Sequence, residues 1–456
     1  MDTSAQRLPR LGGPFFGHLR SFRSDRFGLL LRIPEALGEI GQVRLGVIDA
    51  VFVSGPSAAE TVLATRAEDY KKSRGISLFA RPLIGSGLLS SEGALHRVRR
   101  KQVAPAFFPK RVAAYAEAIA EETDLMIDRL GPAIDVQKEM MQLTLRIVGR
   151  ALFHTSFEAD VERVDSAFTR ANEGMMKMLS APLPLPPMFP TRRARQMKRA
   201  VAELDAVIYR VIRERRASSE SHQDVLSMLL EGLEGEDGAP LGDQALRDEV
   251  MTLFLAGHET TANALSWAIL ETAARPELRQ RLAAEADAAY GTRRPTAADL
   301  GKLPWAAAVL KESMRLWPPA YLTGRLALVD TEILGHRIPR GTTVFINIAG
   351  IHRRPDLFPE PLLFHPQRFL DDAERSWPRC AYLPFGAGPR ICIGSHLALL
   401  EGTLALSRIA QRLEWSREGL PLPGVEPMIT LRPKSIAPMP VQRRTRAEVP
   451  FLFKTA

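Results

Sequence analysis

The sequence is short of cysteine: among its 456 residues only Cys380 and Cys392 occur. Two cysteines cannot build a disulfide framework or a cysteine-rich zinc site, and a reducing, cytoplasmic setting is the default for such a chain. No run of about 18 apolar residues exists, so no membrane-spanning helix is expected. The N-terminal stretch Met1-Asp2-Thr3-Ser4-Ala5-Gln6-Arg7 lacks the apolar core of a signal peptide. Internal repeats and low-complexity linkers are absent as well. Acid is the scarcer charge, 52 Asp+Glu against 61 Lys+Arg, for a net +9. A basic protein invites a nucleic-acid reading, but the basic residues here gather in neither a tail nor an aromatic-interleaved strand. They recur in short clusters such as Arg97/Arg99/Arg100/Lys101 and Arg192/Arg193/Arg195. Docking of an acidic protein partner suits that pattern better.

The composition, 45% hydrophobic and 25% charged, is that of a globular protein with a large core. Length alone suggests two or three domains. After a Pro/Gly-rich lead-in, residues 42–45 and 51–54 about a turn at Asp49 predict a β-hairpin. Helical periodicity continues from Pro56 through Leu63. Residues 75–91, rich in Gly, Pro and apolar side chains, are expected to form a long irregular loop, usually a functional element in a compact chain. A helical pattern runs from Glu92 to Val148, broken near Pro105 and Pro109. Residues 175–190 combine Met175, Met176, Met178 and Met188 with five prolines. They read either as an adaptable lid over a greasy ligand or as a plain surface connection.

A Glu/Gly-rich break over 231–242 precedes the longest helical run, expected from an N-cap at Asp243 to near Pro276. Its length, roughly 48 Å, suits only a helix that crosses the whole molecule. Another helix is expected from Leu303 to Leu316, stopped by Pro318-Pro319, with β-like runs at 326–329 and 343–346. Mostly helix with a small segregated sheet is an α+β layout.

Chemistry concentrates in Phe385-Gly386-Ala387-Gly388-Pro389-Arg390-Ile391-Cys392-Ile393-Gly394, which leads into the helix-forming run Ser395 to Glu401. Glycines allow close main-chain approach, and a cysteine at a helix N-terminus has its thiolate stabilised by the dipole and by free N–H groups. Such a thiolate serves as nucleophile, redox sensor or metal ligand. The long helix carries Ala256-Gly257-His258-Glu259-Thr260-Thr261 within an apolar stretch. Gly257 costs about 1 kcal/mol there against alanine. Either the core merely tolerates these polar residues, or the helix opens beside a flat group and presents a carboxyl and a hydroxyl for proton transfer. Glu312 and Arg315, three apart, share one helix face, and Arg368 offers a second guanidinium to the same carboxylate.

The cysteine loop resembles the F-x-x-G-x-R-x-C-x-G signature of cytochromes P450 at every fixed position. Ala256 to Thr260 is similar to that family's oxygen-activation motif and Glu312/Arg315 to its E-x-x-R, in the family's order and over essentially the whole chain. The resemblance implies one mainly α domain over 1–456, with haem b buried between the long central helix and the cysteine-loop helix. It implies Cys392 as the thiolate ligand of haem iron, with Phe385 beside the sulfur, Gly388 and Gly394 permitting close backbone approach, and Ala256 and Gly257 against the ring. His96, Arg100, Arg325 and Arg390 would hold the propionates, and Glu259 and Thr260 would deliver protons. Glu312, Arg315 and Arg368 would form a structural triad. Gln367 departs from the Glu often found there, although the arginine beside it is kept.

By family position, the substrate pocket would draw on Leu78, Phe79, Leu83, Met175, Met178, Leu179, Leu253, Phe254, Ala256, Tyr321, Leu322, Met428 and Ile429. That lining implies a lipophilic substrate, such as a fatty acid, terpenoid, steroid or polyketide, with Arg81 the candidate anchor for a carboxylate. The implied activity is hydroxylation or epoxidation with O2. No flavin or iron–sulfur motif comes after the cysteine loop, so electrons are expected from a separate ferredoxin or flavodoxin-type donor with its reductase. That donor would dock on Arg97, Arg99, Lys101 and Arg379, and the protein itself is expected to be a monomer. A peroxide-driven peroxygenase, an isomerase and a haem-binding sensor are the rival readings; the intact Glu259-Thr260 pair speaks against them.

Overall fold

In this computed structural model the described residues are 7–445, except 14–15, 156–159, 180, 182–184, 219–223, 233–241, 418 and 435–436, with backbone only at 76–77. The fold is arranged around the helix Asp243–Ala273. Its apolar residues lie on every face, so every face must be covered; from Leu246 to Ala273 only Ala256, Gly257 and Thr260 are not buried. Its 31 residues span about 46 Å. Asp243 is the first helical residue and not the cap. Gly242 occupies the N-cap in an extended conformation, and the Asp243 carboxylate is taken by Arg216. The expected break before it falls largely on 233–241, outside the described residues.

Helices Val136–Phe153, Pro304–Leu316 and Ser395–Arg412 pack against this central helix. Gly257 sets one of those approaches, since a Cβ there would stand 3.0 Å from Val148 Cγ2. Thr144 Oγ1 donates across the same crossing to the His258 carbonyl at 3.0 Å. One hydrophobic cluster runs through all four helices, with members from Phe79 to Val441.

Six strands form the main sheet, in the order Arg10–Leu11, Ile40–Leu45, Ile48–Val53, Thr343–Ile346, Thr323–Ala327 and Tyr70–Lys72. The expected hairpin is present, but it turns at Gly46-Val47, which leaves Asp49 in the second strand opposite Arg44. The run expected at 326–329 is a strand that begins and ends earlier, Thr323–Ala327. A separate apolar cluster that includes Val51, Val53, Val344 and Ile346 packs against this sheet.

Three expectations need correcting. Residues 75–91 are not irregular throughout, because Ile76–Ala80 and Arg81–Ile84 are helical turns. The central helix clamps residues 84–88 directly: Asp248 accepts from Ser86 N at 2.7 Å, Glu249 accepts from Leu88 N at 3.0 Å, and Thr252 Oγ1 donates to Ile84 O at 3.3 Å. Second, Arg99 is no surface docking charge. His96, Arg99 and Val103 make the inward face of the helix Gly93–Val103, and the Arg99 guanidinium lies 3.3 Å from the buried Glu249 carboxylate. Third, Met175, Met176 and Met178 belong to the end of helix Val161–Leu179 and are buried, Met175 and Met178 as members of the main cluster, so they are packed helix and not a loose lid. Met188 is exposed, and residues 180 and 182–184 of the proline stretch lie outside the described residues.

Candidate active site

The cysteine loop is closed by the Cys392 N–H, which donates to Phe385 O at 2.9 Å. Gly388 has φ +68°, and a Cβ on it would stand 1.8 Å from Leu63 O. This glycine therefore answers to the turn Thr61–Thr65 packed on the loop, a protein contact that the sequence did not suggest. Gly394 caps the helix Ser395–Arg412 and its N–H reaches the Cys392 sulfur. A Cβ there would meet only ordinary contacts with the Phe107 ring. Cys392 presents open surface, yet the surrounding protein is dense enough that burial raises its thiol. The Gly394 N–H and Arg100 pull the other way without overcoming it. A nucleophilic or redox-sensing cysteine needs a depressed pKa, which this one lacks. A bound metal cation would deprotonate it outright.

Beside the loop lies an excess of positive charge. Arg390 donates to Ser91 O at 2.6 Å and pairs with Glu92, Arg100 donates to Ile391 O at 2.8 Å, and Lys72 stands opposite Arg325 in adjacent strands. Burial, with Arg390 and Arg325 adding to it, lowers Lys72 to about 7. Burial and Arg390 take Arg325 down to about 10. Burial takes His96 to about 4, helped by Arg390, Lys72, Arg100 and Arg97, so His96 stands as a neutral imidazole among cations. These groups oppose one another's charge, and Glu92 is the acid that faces them. The arrangement suits a ligand that brings carboxylates. His96, Arg100, Arg325 and Arg390 were expected from the sequence. Lys72 and Glu92 were not, since nothing in a three-residue strand or a lone glutamate marks them.

Between Leu246 and Ala273 the central helix offers one accessible patch, Ala256, Gly257 and Thr260, at spacing i, i+1, i+4 on a single face. Thr260 Oγ1 donates to Ala256 O at 2.6 Å. The helix itself is continuous here, so the expected local opening is absent. Glu259 does not share this patch. Its carboxyl is buried on another side, where Asn172 Nδ2 donates to Oε1 at 3.0 Å and the Thr430 hydroxyl is a second partner. Burial raises it to about 7 against the pull of Thr430, Arg432 and Asn172. His258 is buried between Phe168 and Phe254.

The cytochrome P450 family model matches residues 7–438. The chain belongs to the cytochrome P450 family. Among similar proteins, cyclooctat-9-en-7-ol 5-monooxygenase of Streptomyces melanosporofaciens is 36% identical over 414 residues, 90% of this chain and 89% of its own length. Cyclooctatin synthase of the same organism is 36% identical over 91% of this chain and 90% of its own. Pentalenene oxygenase of Streptomyces avermitilis is 30% identical over 90% of each. This P450 is a monooxygenase and its cofactor is haem b. The residues described fit that group: a thiol with an open face, a set of cations matched to two propionates, and a helix face bared at two small residues. No helix among the described residues is long and apolar enough to cross a membrane.

The expected triad is present on the Pro304–Leu316 helix and beyond it. Arg315 grips Glu312 through two hydrogen bonds of 2.6 and 2.8 Å, Arg368 lies 3.4 Å from the same carboxylate, and His365 N donates to it at 2.8 Å. Arg315 also donates to His352 O and Pro361 O at 2.8 Å each and to Leu363 O at 3.1 Å, which fixes the meander leading to the cysteine loop.

The expected substrate lining divides. Leu78, Leu179 and Ile429 are exposed and Leu322 and Met428 half-buried. Phe79, Leu83, Met175, Met178 and Leu253 are buried in the main cluster. Phe254 packs wholly inside, against Phe153 and His258. Tyr321 belongs to a third cluster with Phe27 and Phe52, its hydroxyl donating to Met428 O at 2.7 Å and accepting from Arg26. Arg81 is exposed and reaches Ser86 Oγ at 3.4 Å.

Proposed function

We propose that this P450 hydroxylates or epoxidises a terpenoid-like lipophile, with Cys392 as the thiolate ligand of haem. The observation that carries the reading is the bared patch Ala256-Gly257-Thr260 on a helix otherwise sealed from Leu246 to Ala273. Accessible apolar side chains at Leu78, Leu179, Leu322, Met428 and Ile429 suit a hydrocarbon skeleton. Similarity to enzymes named for cyclooctatin and pentalenene chemistry favours a cyclic terpenoid over a fatty acid.

For hydroxylation the overall change is RH + O2 + two electrons + two protons giving ROH + water; epoxidation uses the same inputs and adds the oxygen atom across a C=C bond. Haem held by a thiolate supplies the centre at which O2 is reduced and its O–O bond cleaved. The protein's part is to position and to supply protons. His96, Arg100, Arg325, Arg390 and Lys72 would hold the propionates. Thr260 spends its proton on Ala256 O, which leaves its oxygen lone pairs to accept a hydrogen bond from a water or substrate hydroxyl at the patch. Glu259, raised to about 7, holds a proton it can release near neutral pH. Electrons come from an acidic ferredoxin or flavodoxin-type donor that docks on the exposed Arg97, Lys101 and Arg379. We read the chain as one domain, acting as a monomer in the cytoplasm.

Spin-state titration with cyclic diterpene alcohols, sesquiterpenes, steroids, macrolides and fatty acids tests the substrate class, together with product analysis in the presence of donor and reductase. A cyclic terpenoid should give the largest spectral shift and an oxygenated product. Turnover of fatty acids alone would contradict the reading.

A further inference from the structure

Glu259 is a buried acid whose hydrogen-bond partners are neutral, and one of them is the end of a chain. Beyond Thr430, Asn263 Nδ2 donates to Thr430 Oγ1 at 2.9 Å. Behind that, Gln137 Nε2 donates to Asn263 Oδ1 at 2.9 Å. Each member is oriented by the one behind it. Gln137 fixes which way the Asn263 amide faces, Asn263 occupies a lone pair of Thr430, and the single Thr430 proton is left for the Glu259 carboxylate. The members come from three places: the first turn of Val136–Phe153, the central helix, and the turn between strands Val425–Pro427 and Leu431–Pro433. Asn263 and Thr430 are buried and Gln137 is half-buried.

Every group in this chain can face either way, since an amide carries donors on one side and acceptor lone pairs on the other and a hydroxyl does both. With both amides flipped and the hydroxyl rotated, the same contacts run in reverse. Protonated Glu259 then donates to Thr430, Thr430 donates to Asn263 Oδ1, and Asn263 Nδ2 donates to Gln137 Oε1. One direction serves the carboxylate and the other the carboxylic acid: Glu259, Thr430 and Asn263 keep partners along the chain in both, and Gln137 Oε1, buried without a partner in the first, gains one in the second.

We propose that Gln137, Asn263 and Thr430 form a reversible hydrogen-bond chain that serves Glu259 in both of its protonation states and keeps its proton exchangeable inside the core. They are positioning residues. Only hydrogen-bond directions change along the chain; the proton itself leaves and returns at the Glu259 carboxyl, where the O–H bond breaks and forms. The inference deepens the proton-delivery reading of Glu259 and rests on it for its purpose. Other charges face the same group: Arg432, itself paired with Glu426 at 2.7 Å on the hairpin, and Asp165 on helix Val161–Leu179, whose own carboxyl is raised by burial with Arg432 and Lys138 opposing. None of these belongs to the chain, so its members can be changed without touching a charge.

The test is an infrared titration of the Glu259 carboxyl in the haem-loaded protein, with the band assigned by its loss in Glu259→Gln. Thr430→Val removes a donor from the charged form and should raise the midpoint by about one pH unit, tenfold in proton affinity; Thr430→Ser should restore it. Gln137→Met, two links away, should shift the midpoint the same way by less, because Asn263 loses the group that orients it. Midpoints equal to wild type in both Thr430→Val and Gln137→Met overturn the chain. Should Thr430→Val not fold, the half-buried, similarly sized Gln137→Met decides alone. The titration needs no turnover, so it is separable from the underlying reading: a wild-type rate in Glu259→Gln sinks proton delivery whatever the midpoints do.

Discussion

Glu312 and Glu259 both lie in the core, on helices packed against each other, yet their surroundings differ in kind. Glu312 is held by guanidinium groups, Arg315 in a bidentate grip at 2.6 and 2.8 Å and Arg368 at 3.4 Å, plus the His365 N–H. Glu259 has an amide and a hydroxyl, with Arg432 acting on it only at longer range. Burying a carboxylate demands compensation, and the two sites supply it differently. Full opposite charge in fork geometry fixes a carboxylate and, through Arg315, the backbone at residues 352, 361 and 363. Neutral donors leave a carboxyl poised between its two forms. One acid is architecture and the other is suited to chemistry.

Breaking the two sites should expose that difference. Glu312→Gln leaves two guanidiniums, at least one of them fully buried, without their charge partner, and should cost about 3–5 kcal/mol, read as a lower denaturant midpoint and poor retention of haem. At pH 5, where Glu259 keeps its proton and Gln mimics it, Glu259→Gln should change stability by no more than about 1 kcal/mol, while product formation falls about 100-fold, the size expected of a lost proton donor. A large stability loss in Glu259→Gln would erase the distinction.

The same contrast extends to pH dependence. Folded Glu259 keeps its proton up to about 7, whereas its ordinary value is 4.5. Between those values the folded state binds more protons than the unfolded one, so stability falls as pH rises through that window. Glu259→Gln should flatten that fall by on the order of 3 kcal/mol across the window. It should not abolish it, because Glu249, also raised to about 7 by burial, contributes its own share. Denaturant midpoints at a series of pH values check this; an unchanged slope in the variant would place the Glu259 proton elsewhere. The smallest effect belongs to the surface. Arg97→Glu with Lys101→Glu should slow electron delivery several-fold at low salt, with the difference fading at high salt and stability unchanged.

The cysteine loop, the Glu312 triad, the central helix and the hairpin are legible in the sequence because each rests on local pattern: fixed spacing, i/i+3 pairing, or periodicity. Contacts between distant segments are concealed there. Lys72 joins the cation set only because strand Tyr70–Lys72 pairs with Thr323–Ala327. Asn172, Asn263 and Thr430 meet around Glu259 only once three elements are packed. Arg99 resembles its charged neighbours in sequence, and only the phase of its helix, shared with His96 and Val103, turns it inward to Glu249. The motifs suggest that Gly388 and Gly257 make room for a flat ligand, whereas a side chain on either would first meet protein, at Leu63 and Val148.

On this reading Cys392 would hold haem iron through its thiolate. Reduction of the loaded protein under carbon monoxide tests it most directly: wild type should show the strongly red-shifted Soret band of thiolate-ligated haem, and Cys392→His should lose that band while still binding haem. Persistence of the red-shifted band in Cys392→His would contradict the assignment.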